Sequence, residues 1–246
     1  TAKHCAVRGY LTRRADLSYE VRLFFSAITG YSAIPVLNKL SMAPTALKSR
    51  LLQLIRREAM RTSADNPGLI MAKLNSLSDP EVIEALYAAA QAGVRIQLNV
   101  RGICLLVPGK KGLSENVSVV SIVDRFLEHS RAFYFYNEGK EEVYCASADW
   151  MPRNLERRVE LMFPVEQPDL RSQVKYILQT CMSDSTKSHR LEPDGRYVRK
   201  RPSDDAEPIR AQAVFYENAK TQAESADPAN RKEFSVRRKP PKAAKL

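Results

Sequence analysis

The feature that most constrains the fold is a strand–helix–strand pattern in the first half of the chain. Residues 69–75, LIMAKLN, and 94–100, VRIQLNV, are short apolar runs typical of buried strands, and the segment between them has helical periodicity. Ser78 or Asp79 is suited to cap this helix, and Gly93 to end it. Two strands joined by a helix within about 30 residues form a parallel crossover unit. The sequence therefore predicts a sheet with parallel strands.

Further elements surround this unit. The pattern predicts an amphipathic helix from Thr45, a third strand, a hairpin turning at NEGK, another strand and a final helix. These are TALKSRLLQLIRREAMRT, VSVVSIV (117–123), RAFYFY with EEVYCAS, RRVELMFPV (157–165) and PDLRSQVKYILQTCMSD. We predict an α/β fold over roughly residues 45–190, a mixed sheet flanked by helices.

Charge is concentrated at the end of the chain. The net charge is +11, and residues 228–246 alone carry seven Lys or Arg against one Glu. The remaining excess suggests a polyanionic partner, either nucleic acid or a phosphate-rich molecule, although a solvated basic surface has the same composition. IRAQAVFYENAKTQAES is predicted to add a helix, and the composition beyond Asp227 is typical of a disordered tail.

Cysteine use and hydropathy bear on the compartment. The cysteines lack CxxC spacing and mostly lie within apolar runs, so we expect reduced thiols and a cytoplasmic location; they are Cys5, Cys104, Cys145 and Cys181. No run approaches the ~18 apolar residues of a membrane span, and the first residues lack a signal-peptide core. We expect a soluble protein with no integral membrane segment.

His129 is the main candidate for chemistry because it precedes a strand-like aromatic run in a chain with three histidines. A neutral imidazole can attack phosphorus or protonate a leaving oxygen near pH 7, although a lone histidine is more often structural. Asp149 follows the next predicted strand. Its carboxylate is placed either to fix the histidine tautomer or to cap a turn.

Polar side chains also follow two other predicted strands. Arg101 ends one strand beside Gly102, and Lys73 and Asn75 lie within and at the end of another. Ligands of open α/β sheets bind at the carboxyl ends of strands, where a guanidinium is placed to grip a phosphate. The alternative for Arg101 is a surface arginine. We find no GxxxxGK[ST] loop, no GxGxxG motif and no metal-ligand cluster in the sequence, so we expect a phosphate site without a P-loop.

Three long blocks carry a family resemblance: VRGIC, GLSENVSVVSIVDRFLEHSR and SADWMPRNLERRVE. With the residues between them, over 73–160, they closely resemble the C-terminal domain of the bacterial type-one polyphosphate kinase family. The resemblance continues less strongly back to about residue 8 and forward through LEPDGRYV, 191–198. It implies a phospholipase D-like module, one of two that face each other across a basic cleft.

The resemblance also implies an activity and a set of site residues. The family transfers the terminal phosphate of ATP to inorganic polyphosphate, reversibly, through a phosphohistidine. His129 is then the histidine of the second module, an acid or electrostatic partner rather than the phosphate carrier, and it binds phosphate together with its neighbours. By resemblance Arg101 contacts the nucleotide phosphates, and Ser147 and Asp149 lie in the ASAD segment that closes such a half-site. Lys73 and Asn75, from their strand positions, and Arg131 are the further candidate phosphate-binding residues. His129-Ser130-Arg131 lacks the acidic residue that phosphodiesterases of this fold have.

The expected organisation is that of a C-terminal portion. Residues 1–40 are expected to be a remnant of the preceding module, 41–200 the kinase domain, 201–221 a helical extension and 222–246 a disordered basic tail. The phosphate-carrying histidine lies upstream, so the chain is expected to be inactive alone. HCAVR, which places Cys5 where the family has a nucleotide-contacting tyrosine, is interpreted as out-of-register translation in a damaged or truncated gene.

The expected partners follow from the family. They are ATP or ADP, inorganic polyphosphate and further copies of the chain, with Mg²⁺ held by residues outside it and nucleic acid not expected. Two alternatives stay open: a non-catalytic module that binds polyphosphate or nucleic acid, and a phospholipase D-like hydrolase formed by a homodimer.

Overall fold

The computed structural model describes residues 14–202 and 205–225 and the backbone of Cys5–Ala6. The helices of this part are α1 Ala15–Ile28, α2 Leu47–Arg61, α3 Pro80–Gln91, α4 Pro168–Ser183 and α5 Ala211–Ser225. The strands are β1 Cys5–Ala6, β2 Ser41–Ala43, β3 Leu69–Leu74, β4 Arg95–Val100, β5 Val117–Ile122, β6 Leu127–Glu128, β7 Arg131–Phe135, β8 Glu142–Ala146, β9 Glu160–Pro164, β10 Ser188–Leu191 and β11 Tyr197–Arg199.

Nine of these strands form one mixed sheet in the order β11-β10-β5-β4-β3-β7-β8-β9-β2. The pairs β3·β4 and β4·β5 are parallel, whereas β7 is antiparallel to both β3 and β8, and the outer strands add antiparallel pairs. The short β1 pairs in parallel with β6. The predicted α/β class, a mixed sheet flanked by helices, is confirmed.

The predicted crossover unit is β3-α3-β4. The Asp79 carboxylate accepts a hydrogen bond from the Val82 backbone N–H at 3.1 Å and so caps α3, and Pro80 is its first residue. Gly93 follows the helix with φ of +102°, a left-handed conformation that favours glycine. Local sequence signals therefore fix both ends of this helix.

Helices cover both faces of the central strands. Ile70, Ala72 and Leu74 belong to the larger core, on the face where α2 and α3 pack, and Met71 belongs to a second cluster beside α4. Each fully buried Ile, Leu or Met side chain contributes about 1.5–3 kcal/mol relative to an exposed one. Burial on both sides gives the central strands a rigid position, and with them the residues at their ends.

The structure corrects several sequence boundaries. The strand expected at 157–165 is Glu160–Pro164, because Arg153–Arg157 form a turn of π-helix that buries Asn154 and Leu155. Six elements were not predicted from the sequence: helix α1 and strands β1, β2, β6, β10 and β11.

The chain divides into two compact units, Thr1–Ala211 and Gln212–Leu246, and helix α5 continues to Ser225, past the expected boundary at 221. The domain limits at 40 and 200 stay predictions. The expectations for HCAVR and for the tail from 226 onward fall outside the described residues.

Two global features complete the fold. Cys104, Cys145 and Cys181 carry thiols rather than disulfides. No helix in the described part of the chain combines the length and apolar character of a membrane span.

Candidate functional site

The strand directions bring the predicted residues to one edge of the sheet. Strand β8 runs parallel to β3 and β4 because β7, between β3 and β8, is antiparallel to both of its neighbours. The carboxyl ends of β3, β4 and β8 therefore share an edge with the start of β7. Asn75, Arg101, His129, Arg131 and Asp149 meet there, and we call these five residues the sheet-edge site.

Asp149 is the centre of this group. Its carboxylate accepts hydrogen bonds from Arg131 Nη2 at 2.9 Å and Nε at 3.2 Å. It also accepts the backbone N–H groups of Asn75 at 2.7 Å and Ser76 at 3.2 Å. Burial raises the pKa of Asp149, but the bonds from Arg131 and Asn75 outweigh burial and hold the pKa below 3.8. The carboxylate is thus ionised at neutral pH and ties three strand ends together.

Arg101 is oriented by Asn75. The Asn75 Oδ1 atom accepts from Arg101 Nη2 at 2.7 Å and from Nε at 3.2 Å, while the Asn75 Nδ2 atom donates to Asp149 at 3.3 Å. The next residue has to be small, since a Cβ atom on Gly102 would lie 2.9 Å from the Asn75 carbonyl oxygen. Close approach of these two backbone segments therefore sets the position of the guanidinium.

His129 is exposed and contacts Arg131. Its Nδ1 atom lies 3.1 Å from Arg131 Nη1, and its Nε2 atom lies 3.3 Å from Arg131 Nη2. Partial burial of the ring and the Arg131 charge lower the pKa of His129 below 6.5, so the imidazole is neutral at pH 7. Within the described residues the expected contact between His129 and the Asp149 carboxylate is not formed, because Arg131 lies between them and contacts both.

Lys73 has a different position from the one expected of a phosphate-binding lysine. Its side chain is almost fully buried, and its Nζ atom lies 3.2 Å from Glu128 Oε2 and 3.3 Å from the Ser130 carbonyl oxygen. These two partners immediately precede and follow His129 in the chain. The Lys73 ammonium group therefore holds the segment 128–130, which carries His129, in place. The sequence did not predict this interaction.

Ser147 also has partners of its own. Its hydroxyl donates to Glu160 and accepts the Leu161 backbone N–H at 3.0 Å, and Asn154 Nδ2 donates to Glu160 Oε1 at 2.7 Å. Ser147 thus links the end of β8 to β9. The hydrogen bonds of its hydroxyl are made with β9 and not with the Arg131 side chain. No sequence pattern indicated Glu160, because its contact with Ser147 arises only from the pairing of these strands.

The acidic residues near the sheet-edge site do not fit a metal site. Among the described residues, no three His, Cys, Asp or Glu side chains converge as metal ligands. The Asp149 carboxylate is occupied by Arg131, and Glu128 is neutralised by Lys73. Mg²⁺ prefers octahedral oxygen ligands, which these two carboxylates do not offer.

Comparison with known proteins decides the family. The model of the polyphosphate kinase C-terminal domain 2 matches residues 40–212, most of the chain. The chain belongs to the polyphosphate kinase family. The resemblance inferred from the three sequence blocks is thereby confirmed.

Individual relatives agree with this assignment. The polyphosphate kinase of Synechocystis sp. is 47% identical over 215 residues, 87% of this chain and 30% of that protein. The polyphosphate kinase of Rhodopirellula baltica is 48% identical over 206 residues, 84% of this chain and 24% of that protein. The crystal structure of polyphosphate kinase from Porphyromonas gingivalis superposes with a TM-score of 0.82 at 38% identity, covering 87% of this chain and 33% of that one. The chain spans about a third or less of the length of these polyphosphate kinases.

Proposed function

We propose that this chain supplies the second half of a polyphosphate kinase active site. In this proposal the sheet-edge site binds the phosphates of ATP and of inorganic polyphosphate during the reversible transfer of the ATP terminal phosphate. The observation that carries the proposal is an exposed imidazole placed against Arg131, with Arg101 at the same strand ends. The family and its relatives support the reaction class.

The arginines have separate tasks in this proposal. Arg131 donates to Asp149 and to the His129 carbonyl oxygen, so its fork is used to place the histidine. Arg101 donates its Nε hydrogen and one Nη2 hydrogen to Asn75. Its remaining N–H groups are suited to bidentate contact with a pair of phosphate oxygens. Asp149 acts on the substrate through Arg131, because a carboxylate repels a phosphate. Asn75 acts through Arg101, to which its Oδ1 atom is bonded.

His129 acts as a proton acceptor before it acts as an acid. Its pKa lies below 6.5 in the unliganded chain, chiefly because of burial and the Arg131 charge. A bound polyphosphate anion stabilises the imidazolium, so binding raises this pKa and couples phosphate binding to proton uptake. The charged ring then stabilises the transferring phosphoryl group. Following the family, the histidine that carries the phosphate lies in another part of the enzyme.

Other parts of the family's machinery belong to the same proposal. Mg²⁺ accompanies the nucleotide and is held by residues outside this chain, consistent with the occupied carboxylates of the sheet-edge site. The complete enzyme is a cytoplasmic homo-oligomer in which two phospholipase D-like modules face each other. Lys73 is proposed as a positioning residue for His129 rather than as a phosphate ligand.

A binding and activity experiment tests the proposal. Calorimetry with ATP and with tripolyphosphate should show binding that Arg101→Ala and His129→Ala each weaken about tenfold or more, as expected for lost charge-assisted hydrogen bonds. Arg56→Ala is the matched control, because Arg56 is an exposed arginine on α2 outside the site. The chain alone should not synthesise polyphosphate from ATP and Mg²⁺. Unchanged affinity in both site variants would refute the proposal.

A non-catalytic polyanion-binding module is the second candidate, favoured by the net charge of +11. In that case tripolyphosphate and single-stranded nucleic acid would bind with similar affinity and steep salt dependence. Deletion of residues 226–246, which carry seven Lys or Arg against two acidic residues, would then weaken binding more than Arg101→Ala does.

The homodimeric hydrolase makes a different prediction. It would cleave a phosphodiester, and this activity would disappear in His129→Ala. The same purified samples decide among the three functions.

A further inference from the structure

A polar cavity lies at the end of β7 and the start of β8, opposite the sheet-edge site. It has a volume of about 470 Å³ and is lined by residues at the start of β8, the end of β9, helix α2 and the start of α4. Glu142, in its wall, pairs with Phe135 at the end of β7, whereas Arg131 begins β7 in the sheet-edge site. Four residue steps along a strand amount to roughly 13 Å. The cavity is therefore separate from the sheet-edge site.

The acidic residues in the cavity wall are already neutralised. Glu142 accepts from Arg57 Nη1 at 2.9 Å and from the Tyr144 hydroxyl at 2.7 Å. Glu166 accepts from Lys39 Nζ at 2.8 Å. Glu141 is paired with Lys175 and with the Tyr134 hydroxyl.

Hydrogen bonds hold the Glu141 and Glu142 carboxylates charged. Bonds to Lys175 and to Arg57 outweigh burial and lower the pKa values of Glu141 and Glu142, respectively. Each acid in the wall thus has a cation partner, in two cases from outside the cavity.

Three cations of the same wall have no such partner. Within the described residues, Arg50, Lys140 and Arg171 have no carboxylate oxygen within 4.0 Å. Arg50 Nη2 donates to the Tyr144 hydroxyl at 3.3 Å, and Arg171 Nη1 donates to the Glu141 carbonyl oxygen at 3.1 Å. Both bonds direct a guanidinium along the wall without placing it in a direct ion pair, although Arg171 and Arg50 act at longer range on Glu141 and Glu142. The cavity therefore has a positive excess.

We propose that this cavity binds a segment of inorganic oligophosphate, as a second contact for the polyphosphate chain. Three separate cations around one cavity suit a ligand with several charged groups better than a single carboxylate, and guanidinium groups bind phosphate oxygens bidentately. The volume falls in the range of small-ligand sites. The choice of inorganic oligophosphate as the ligand rests on the proposed function, because a polyphosphate kinase has such a chain as its product.

Calorimetry with tripolyphosphate on the 246-residue chain tests this proposal. We expect two binding events. The double variant Arg50→Ala and Lys140→Ala should remove one event or weaken it at least tenfold, and Arg101→Ala should weaken the other. Arg56→Ala, on the same helix as Arg50 but outside the cavity, removes one exposed arginine and should leave both unchanged. The variants change exposed side chains, and their unfolding midpoints verify that they fold.

A local readout separates this proposal from the proposed function. In amide ¹H–¹⁵N spectra, tripolyphosphate should shift Tyr144 and Val165, which line the cavity, as well as Gly102 beside the sheet-edge site. Shifts at Gly102 alone would overturn the cavity proposal and leave the proposed function standing. Shifts at Tyr144 and Val165 alone would overturn the proposed function and leave the cavity as the phosphate-binding site. ATP that displaces tripolyphosphate from the cavity with equal affinity would also overturn the proposal, because it would show a general nucleotide site.

Discussion

The Nζ atom of Lys73 lies 3.2 Å from a carboxylate oxygen of Glu128, and the two side chains are 5% and 16% exposed. A second bond from the same Nζ atom reaches the Ser130 carbonyl oxygen. Lys73 lies in the central strand β3, so the rigid core of the sheet is connected directly to the residues on both sides of His129. The position of the catalytic candidate thus depends on a buried ion pair.

Replacing Lys73 with methionine should destabilise the protein by about 3 kcal/mol, because it removes the charge that neutralises a mostly buried carboxylate. The double variant Lys73→Met and Glu128→Leu should recover part of this loss. Urea unfolding measures both free energies. Equal stability of the single variant and the wild type would contradict a structural role for the pair.

The same pair should affect His129. Lys73→Met at temperatures where the variant stays folded should weaken tripolyphosphate binding, whereas Lys73→Arg, which keeps the charge, should restore most of it. A phosphate-binding role for Lys73 itself predicts instead that Glu128→Gln leaves affinity unchanged. A positioning role predicts that Glu128→Gln weakens it.

His129 should titrate below pH 6.5 in the unliganded chain and at a higher pH with tripolyphosphate bound, since burial and Arg131 disfavour the charged ring and an anion favours it. Arg131→Gln should raise the pKa of the free state, because the second cause of its depression is removed. Imidazole ¹H–¹³C spectra follow the titration, with His129→Asn identifying the signal. A pKa that falls on ligand binding would exclude phosphate contact with this ring.

Asp149→Asn should destabilise the chain by about 2–4 kcal/mol at pH 7, because it leaves Arg131 without its buried carboxylate. The folded-state pKa of Asp149 is lowered, so its contribution is fully present above the unfolded value of 3.8 and is lost as pH falls through the folded value. Urea midpoints of wild type and variant should therefore differ at pH 7 and at pH 5 and approach each other toward pH 3. A difference that does not change with pH would show that Asp149 is not ionised in the folded state.

Gly102→Ala should weaken ATP binding about tenfold or more, because the new Cβ atom would lie 2.9 Å from the Asn75 carbonyl oxygen and displace the backbone that holds Arg101. Ile103→Ala is the control, since Ile103 is 55% exposed at the next position. Calorimetry compares the two variants. Equal affinities would mean that the backbone at Gly102 adjusts without moving Arg101.

The thiols of Cys104 and Cys181 should react slowly in the folded chain. Burial raises their pKa values to about 11 and about 12, so the reactive thiolate is scarce at pH 8. Mass spectrometry after iodoacetamide treatment should find both sites unmodified in native protein and modified in urea. Rapid native modification of Cys181 would show that its helix opens readily.

Much of the fold follows from local sequence signals. The apolar runs at β3 and β4, the cap at Asp79 and the turn at Gly93 predict the crossover unit, and the NEGK turn predicts the β7–β8 hairpin. Strands β10 and β11 were not predicted because they are short and mostly polar. Strand β10 pairs with the distant β5 only after the chain has passed through α4, and β11 pairs with β10. The local sequence pattern does not indicate which distant strand a short segment pairs with.

The sequence by itself determined the family, the α/β class and the presence of Asn75, Arg101, His129 and Asp149 near strand ends. Only the tertiary structure decided which of them touch. Asn75 and Asp149 are 74 residues apart and bond because β7 places β3 and β8 in parallel one strand apart. Arg131 contacts His129 in place of Asp149, and Lys73 turns inward to Glu128. Such side-chain partners depend on how distant segments pack together. The spacing of residues along the chain does not encode that packing.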